Sequence, residues 1–317
     1  MSEQTVQGGE RTERVGRPLV TIVTPSFNQG RFVERTILSV LEQDYPLIEY
    51  LVMDGGSTDQ TLEILQKYSN RLAFVSEKDR GQAHAINKGF MRAHGDILAF
   101  LNSDDTYLPG AVSAAVEGLQ GNRGAPFLYG EAHSIDEAGE ILDRYPTEPF
   151  SFERLHETCF ICQPAVFVAR SAIEQAGYLD EDLNYCLDYE WWIRLSRLGQ
   201  PAYIKKYLAN TRVYATTKTL GQRRQFHWEI ARMWKRVEGR VPSAWVFALA
   251  HAIIEVRFKL DRTKPRQDAV FVLALSALST WLFFHLNQEI QREEAQQILG
   301  WVRAALRSAG ASAFTTG

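Results

Sequence analysis

Short apolar runs and amphipathic stretches take turns along the first third of the chain. Residues 19–25, 48–53, 72–76 and 97–101 are dense in β-branched and aliphatic side chains. Such runs predict strands buried on both faces. Between them, Val33, Ile37, Val40 and Leu41 fall on one helical face, as do Ile86, Phe90 and Ala93. Ser57 or Asp59 suits the cap of the second helix and Pro109 the first turn of the fourth. This alternation predicts an α/β fold: a mostly parallel, Rossmann-like central sheet with flanking helices and right-handed crossovers.

The pattern changes after Gly124. Residues 127–135 and 141–145, joined by Asp136-Glu137-Ala138-Gly139, predict an antiparallel hairpin. An apolar strand at 165–168, a helix around 191–198 and two short strands through Val213 follow. From Lys218 onward the periodicity is helical. Phe226, Ile230, Met233, Trp234 and Val237 form one stripe, and helices at 244–260, 269–286 and 290–306 come next. The predicted organisation is a flexible segment at 1–16, an α/β domain at 17–217 and an all-helical region at 218–317.

Chemistry collects where the four parallel strands end. The strand tips carry Thr24-Pro25-Ser26-Phe27-Asn28, then Asp54-Gly55-Gly56-Ser57-Thr58-Asp59, then Glu77-Lys78-Asp79-Arg80-Gly81-Gln82, and finally Asn102-Ser103-Asp104-Asp105. Open α/β sheets bind ligands along that rim. Phe27 offers an aromatic face, Asp54 an acceptor for base N–H groups and Arg80 a cation. Asp104 and Asp105 are adjacent carboxylates that repel unless a cation compensates, and oxygen-only ligation suits Mg²⁺ or Mn²⁺. That set fits a nucleoside diphosphate derivative. Neither Gly-x-Gly-x-x-Gly nor a Lys-bearing P-loop is present, which counts against dinucleotide and ATP-hydrolysing chemistry.

Composition adds bounds. The 317 residues are 45% apolar and 23% charged with net charge −3, an ordinary globular balance that argues against general nucleic-acid binding. The residues before Arg17 lack the apolar core of a signal peptide and the chain has three cysteines, so a cytoplasmic, reducing setting is expected. Cys159 and Cys162, with His156 and Cys186, have the makings of a zinc site. In an extended segment, however, residues three apart point to opposite faces, and small buried hydrophobes are the better reading.

Taken together, the Pro-Ser-Phe-Asn start, Asp-Gly-Gly-Ser-Thr-Asp, Asp79-Arg80-Gly81-Gln82 with Ile86-Asn87-Lys88-Gly89, and Asn-Ser-Asp-Asp-x-Tyr-Leu-Pro resemble inverting family 2 glycosyltransferases of the GT-A fold that build bacterial surface polysaccharides. The resemblance runs from Arg17 to Thr217. It implies that Pro25, Phe27, Asn28, Asp54, Ser57, Asp79, Arg80, Gln82, Asn87 and Asp104 serve the sugar nucleotide. It further implies that Asp105, with Asp104, holds Mn²⁺ or Mg²⁺. Leu187-Asp188-Tyr189-Glu190-Trp191-Trp192 resembles the segment whose Asp is the catalytic base, which makes Asp188 that base, although Leu187 replaces the usual preceding acid. Tyr189, Trp191 and Trp192 are candidates to stack on an acceptor sugar. Tyr214 stands where such enzymes often carry a metal-reaching His, so Arg212 or Lys218 is the candidate phosphate contact. Gln222-Arg223-Arg224-Gln225 lacks the spacing and Trp of a Gln-x-x-Arg-Trp, which argues against a processive synthase.

The implied reaction moves a sugar from a nucleoside diphosphate donor to a hydroxyl of a saccharide or lipid-linked acceptor. Asp54 suits uracil or thymine, making UDP- or dTDP-sugars the favoured donors with GDP-sugars open. The alternatives are a non-catalytic sugar-nucleotide-binding scaffold, which would need no base, and a sugar-nucleotide pyrophosphorylase, which should show a basic Gly-rich loop after the first strand. The C-terminal helices have two readings: packing as a bundle or homodimer, or peripheral docking at the inner face of the cell membrane. The run 269–284 looks short of a bilayer span.

Overall fold

A computed structural model describes residues 16–214, 222–258 and 260–314. They divide into two compact units. Among the described residues the first comprises 16–150, 160–182 and 187–213, and the second comprises 151–159, 183–186, 214, 222–258 and 260–314. Two short excursions, at 151–159 and 183–186, therefore join the C-terminal unit.

The first unit is built on one sheet in the order β3-β2-β1-β4-β8-β6-β9-β5, with β7 pairing β6. The strands are β1 (Val20–Ser26), β2 (Ile48–Asp54), β3 (Ala73–Ser76), β4 (Ile97–Phe100), β5 (Thr106–Tyr107), β6 (Phe127–Ile135), β7 (Ile141–Arg144), β8 (Val166–Ala169) and β9 (Ala202–Arg212). Strands β3, β2, β1 and β4 run parallel. From β8 onward antiparallel pairs enter, so the sheet is mixed rather than parallel throughout. One strand, β9, replaces the two short ones expected near Val213.

β1 is buried along its whole length because helices cover both faces of a parallel block. Helix α1 (Val33–Leu41) turns Val33, Thr36, Ile37 and Val40 inward, and α3 (Gln82–Arg92) does so with Ile86 and Phe90. Helix α2 spans Thr61–Lys67, α4 Ala111–Gly121, α6 Arg170–Ala176 and α7 Leu187–Ser196; α5 (Phe152–Glu157) belongs to the second unit. Pro109 lies just before α4, whose cap is Gly110 in a left-handed conformation. Asp59 accepts the Thr61 N–H at the head of α2, while Ser57 is engaged elsewhere.

The second unit is helical: α8 (Arg223–Glu238), α9 (Ser243–Arg257), α10 (Pro265–Leu282) and α11 (Arg292–Phe314). Asn287 clasps Val241 through both backbone groups, at 2.8 and 2.9 Å. Glu294 accepts from Arg240 and Ser243 at 2.8 and 2.6 Å. Glu229 on α8 accepts the N–H groups of Asn184, Tyr185 and Cys186, which holds the 183–186 excursion in this unit. A π-helical turn, Phe283–Asn287, prolongs α10 to a 23-residue helical segment whose most apolar 18-residue window has mean hydropathy 1.9, long and apolar enough to cross a membrane by length and composition alone. The helix is longer than the apolar run 269–284 because it begins at Pro265, ahead of the run, and continues through His285 and Asn287 in the π turn. Along α10 the exposed residues Arg266, Val270, Leu273, Ala277, Trp281 and Phe284 follow helical spacing and form one stripe.

Candidate active site

The parallel pairing aligns the ends of β1, β2 and β3. Ser26 lies opposite Asp54, and Asp54 opposite Ser76. Pro25 and Ser26 are buried at this edge, and the Ser26 hydroxyl has no hydrogen-bond partner among the described residues. Phe27 projects outward, 59% exposed. Asn28 is exposed as well but is tied to the second loop. Held at φ +52°, it donates its N–H to Ser57 Oγ (2.7 Å) and accepts the Thr58 N–H on Oδ1 (2.8 Å), buckling the first loop to the second.

Asp54 is 1% exposed, and its own surroundings saturate it. Oδ2 accepts from Gly56 N, Ser57 N and Ser76 Oγ, and Oδ1 from Ser57 Oγ, at 2.5–3.1 Å. Asp54, expected to meet the base, and Ser57, expected to serve the sugar nucleotide, spend these bonds on building the loop. The physical reason is burial: a carboxylate enclosed at a strand end must collect donors from the chain around it.

In the third loop, Asp79 Oδ1 accepts the Gly81 N–H at 2.9 Å, at the start of α3. Arg80 pairs with Glu181. Lys88, nearly buried, reaches Glu77 at 2.7 Å. Asn87 is a corrected expectation: 4% exposed, it clasps Leu179 through its backbone carbonyl and N–H at 2.9 and 3.1 Å and also reaches Glu181. Its role is to hold the 179–181 segment, and with it Glu181, against α3.

The acidic pair after β4 divides into an enclosed member and an accessible one. Asp105 is 3% exposed; Oδ1 accepts the Arg212 N–H (2.8 Å) and Oδ2 accepts from Asn102 Nδ2 (3.1 Å). Burial first, and the neighbouring Asp104 charge second, push its carboxyl up to about 8. Asp104 is half-buried and is the acid that a ligand can reach. Asn102 ties the network together, accepting from Gln82 Nε2 (2.7 Å) and donating to Gln163 Oε1 (3.1 Å). Gln163 in turn donates to the Phe100 carbonyl at 2.7 Å. Neither Asn102 nor Gln163 is among the residues that the sequence motifs mark for ligand binding, although Gln163 is a lone amide in the apolar run from Phe160 to Val168. Such an interruption of a buried run signals a hydrogen-bonded role.

Arg212 is no phosphate contact. It is 4% exposed; its Nε donates to the Asp104 carbonyl and Nη1 to the carbonyls of Asp136 and Glu137, and its guanidinium lies over Phe32. Lys218 lies outside the described residues. Among the described residues no group of three or more His, Cys, Asp or Glu side chains gathers as a metal centre. The cysteines are divided between the two units, and Cys162 packs in the core of the first.

A hard divalent cation nevertheless fits this corner. The carboxylate donors are all oxygen, and the Asp104 charge, after burial, is what discourages ionisation of Asp105, a cost that a bound cation would offset. With so few protein ligands, the remaining positions around such an ion would fall to phosphate oxygens and water.

Asp188 stands in the first turn of α7, half-buried, its Oδ1 accepting the Tyr189 N–H at 2.8 Å. Burial raises its carboxyl to about 6, with backbone N–H groups pulling the other way. The aromatics beside it are not acceptor platforms. Tyr189, Trp191 and Trp192 are 2%, 0% and 0% exposed. Trp191 stacks on Phe90 and donates to the Gly177 carbonyl, and Trp192 packs against Phe127. The two tryptophans anchor α7 against α3 and β6.

Residues 21–175 match Glycosyl transferase family 2. Over 197 residues, 61% of this chain, the sequence is 30% identical to chondroitin synthase of Escherichia coli, of which it spans 29%. It is 32% identical over 195 residues, 59% of this chain, to the Bacillus subtilis protein TuaG, named as a teichuronic acid biosynthesis glycosyltransferase, and spans 75% of it. In structure, 93% of the chain superposes on 92% of residues 1–349 of Staphylococcus aureus TarS solved with UDP-GlcNAc, with TM-score 0.59 and 15% identity. A mannosyltransferase of Pyrobaculum calidifontis, solved with GDP-Man and Mn²⁺, superposes with TM-score 0.50 and 18% identity, covering 94% of this chain and 87% of that one. The mixed sheet with its rim of polar loops is the fold of GT-A-like glycosyltransferases, and the chain belongs to glycosyltransferase family 2. Family membership supports glycosyl transfer as its chemistry.

Proposed function

We propose that this chain transfers a sugar, with inversion, from a nucleoside diphosphate donor to a hydroxyl of a saccharide or lipid-linked acceptor in surface-polysaccharide synthesis, at the cytoplasmic side of the membrane. The observation that carries the reading is Asp188, a half-buried carboxyl raised to about 6. Such a group is ionised at neutral pH yet basic enough to take a proton, whereas a binding scaffold needs no base.

In this reading Phe27 stacks on the base and the loops after β1–β4 hold the diphosphate. Asp104, backed by Asp105, would hold Mn²⁺ or Mg²⁺, which when bound would neutralise charge on the leaving diphosphate. The Asp188 carboxylate accepts the proton of the acceptor hydroxyl as its oxygen bonds to the anomeric carbon. The carbon–oxygen bond to the diphosphate breaks, and the diphosphate leaves with the electron pair. A single displacement inverts the anomeric centre.

A thermal-shift screen of nucleoside diphosphate sugars with and without Mn²⁺ tests donor binding. The cognate donor should raise the melting temperature in a cation-dependent way, whereas indifference to every donor would sink the proposal.

The exposed stripe on α10 supports peripheral membrane contact, since Trp281 and Phe284 share it with Arg266 at one end. Flotation with anionic liposomes should capture the full chain at low salt and lose it with Leu273→Asp plus Trp281→Asp. A dimer indifferent to lipid would instead assign the stripe to self-association.

A further inference from the structure

Resting on that donor-site reading, we infer that Asp79, and not Asp54, is the residue that reads the base, and that it selects a pyrimidine carrying a ring N–H, uracil or thymine. Asp54 is excluded by saturation. Four donors from Gly56, Ser57 and Ser76 already converge on its two oxygens, and it is 1% exposed. Asp79 is half-buried and differently placed. Its Oδ1 takes the Gly81 N–H at 2.9 Å, which fixes the plane of the carboxylate.

Gly55 shows where the other oxygen lies. A Cβ at position 55 would stand 2.6 Å from Asp79 Oδ2 and 3.4 Å from the Phe27 ring. Gly55 is buried, and its N–H is bonded to the Ser26 carbonyl at 2.8 Å, so this floor is fixed. Its backbone is not in the left-handed region, unlike that of Gly56 at φ +83°. A glycine here therefore serves space, not conformation. The space it leaves brings one carboxylate oxygen and the edge of an exposed aromatic ring to the same point. A base stacked on Phe27 would present its edge to Asp79 Oδ2.

The chemistry of that edge sets the choice. Uracil and thymine offer one N–H between two carbonyls, which one anionic oxygen satisfies. Cytosine presents a ring nitrogen acceptor there, which repels a carboxylate. Guanine offers two adjacent N–H groups that match both oxygens of a carboxylate, and here one of the two belongs to Gly81. Asp79 is thus a specificity-determining residue for the donor.

Calorimetric titration of the full chain with UDP, GDP and CDP in the presence of Mn²⁺ decides it. The wild type should prefer UDP. In Asp79→Asn, the amide oxygen keeps the Gly81 N–H and the amide nitrogen becomes a donor toward the base. UDP affinity should fall roughly tenfold to a hundredfold while CDP affinity rises, reversing their order. Gly55→Ala, which displaces Oδ2, should weaken UDP without favouring CDP. If Asp79 only caps α3, both variants will weaken all three nucleotides alike and keep their order, which overturns the inference. A wild type that prefers GDP or CDP also overturns it. A wild type that binds none of the three defeats the donor-site reading itself.

Discussion

Asp188→Asn is expected to lower turnover by at least about a hundredfold while leaving the fold and donor affinity intact. The asparagine Oδ1 can still accept the Tyr189 N–H, so the first turn of α7 keeps its local partner. What is lost is the capacity to take the acceptor proton. The wild-type pH profile should carry the same signature. With the carboxyl at about 6, the base is ionised above that pH and protonated below it, so kcat/KM should fall tenfold per unit as pH drops below about 6. The variant's residual activity should lack this acid limb. A variant that melts earlier but turns over normally would reduce Asp188 to a helix-terminal residue.

The second large effect separates the two acids. Asp104→Asn should abolish the cation-dependent stabilisation by nucleoside diphosphate and reduce transfer by about 10²–10³, the scale of losing one transition-state charge stabiliser. Without cation it should melt like the wild type, because the Asp104 side chain is only half-buried. Asp105→Ala should behave differently, leaving the Arg212 N–H without its acceptor inside the protein and Asn102 Nδ2 with Gln163 alone. Its metal-free stability should drop by about 1–3 kcal/mol, as for other buried donors left unmet. Denaturant unfolding with chelator present measures this. Equal metal-free stability of the two variants would contradict the division drawn between them.

The four parallel strands were legible to within about two residues because strands covered on both faces read as unbroken apolar runs. β9 was not legible as one strand. Lys205 and Lys206 sit exposed in its middle and break the apolar pattern, while the buried Leu208 and Ala209 beyond them read as a new start. The two-residue β5 is too short to carry a period. The excursions at 151–159 and 183–186 depend on side chains far along the chain, such as Glu229, that no local pattern announces.

At the rim, position was readable and role was not. Topology alone placed the loops after β1–β4 on one edge. Asp54 and Ser57 look like ligand groups in sequence, yet they bond to each other, and the Asn28 side-chain oxygen is taken by the Thr58 N–H. Trp191 and Trp192 look like a sugar platform but pack in the core. A buried polar group and a waiting one have the same letter in the sequence; only the partners distinguish them.

The most direct test incubates the wild-type chain with a panel of nucleoside diphosphate sugars, Mn²⁺, and saccharide and polyprenyl-linked acceptors, and identifies the phosphorus product. The account predicts release of nucleoside diphosphate that requires an acceptor and collapses in Asp188→Asn, with the new glycosidic bond inverted relative to the donor. Release of pyrophosphate, retention of configuration, or undiminished transfer by Asp188→Asn would contradict it.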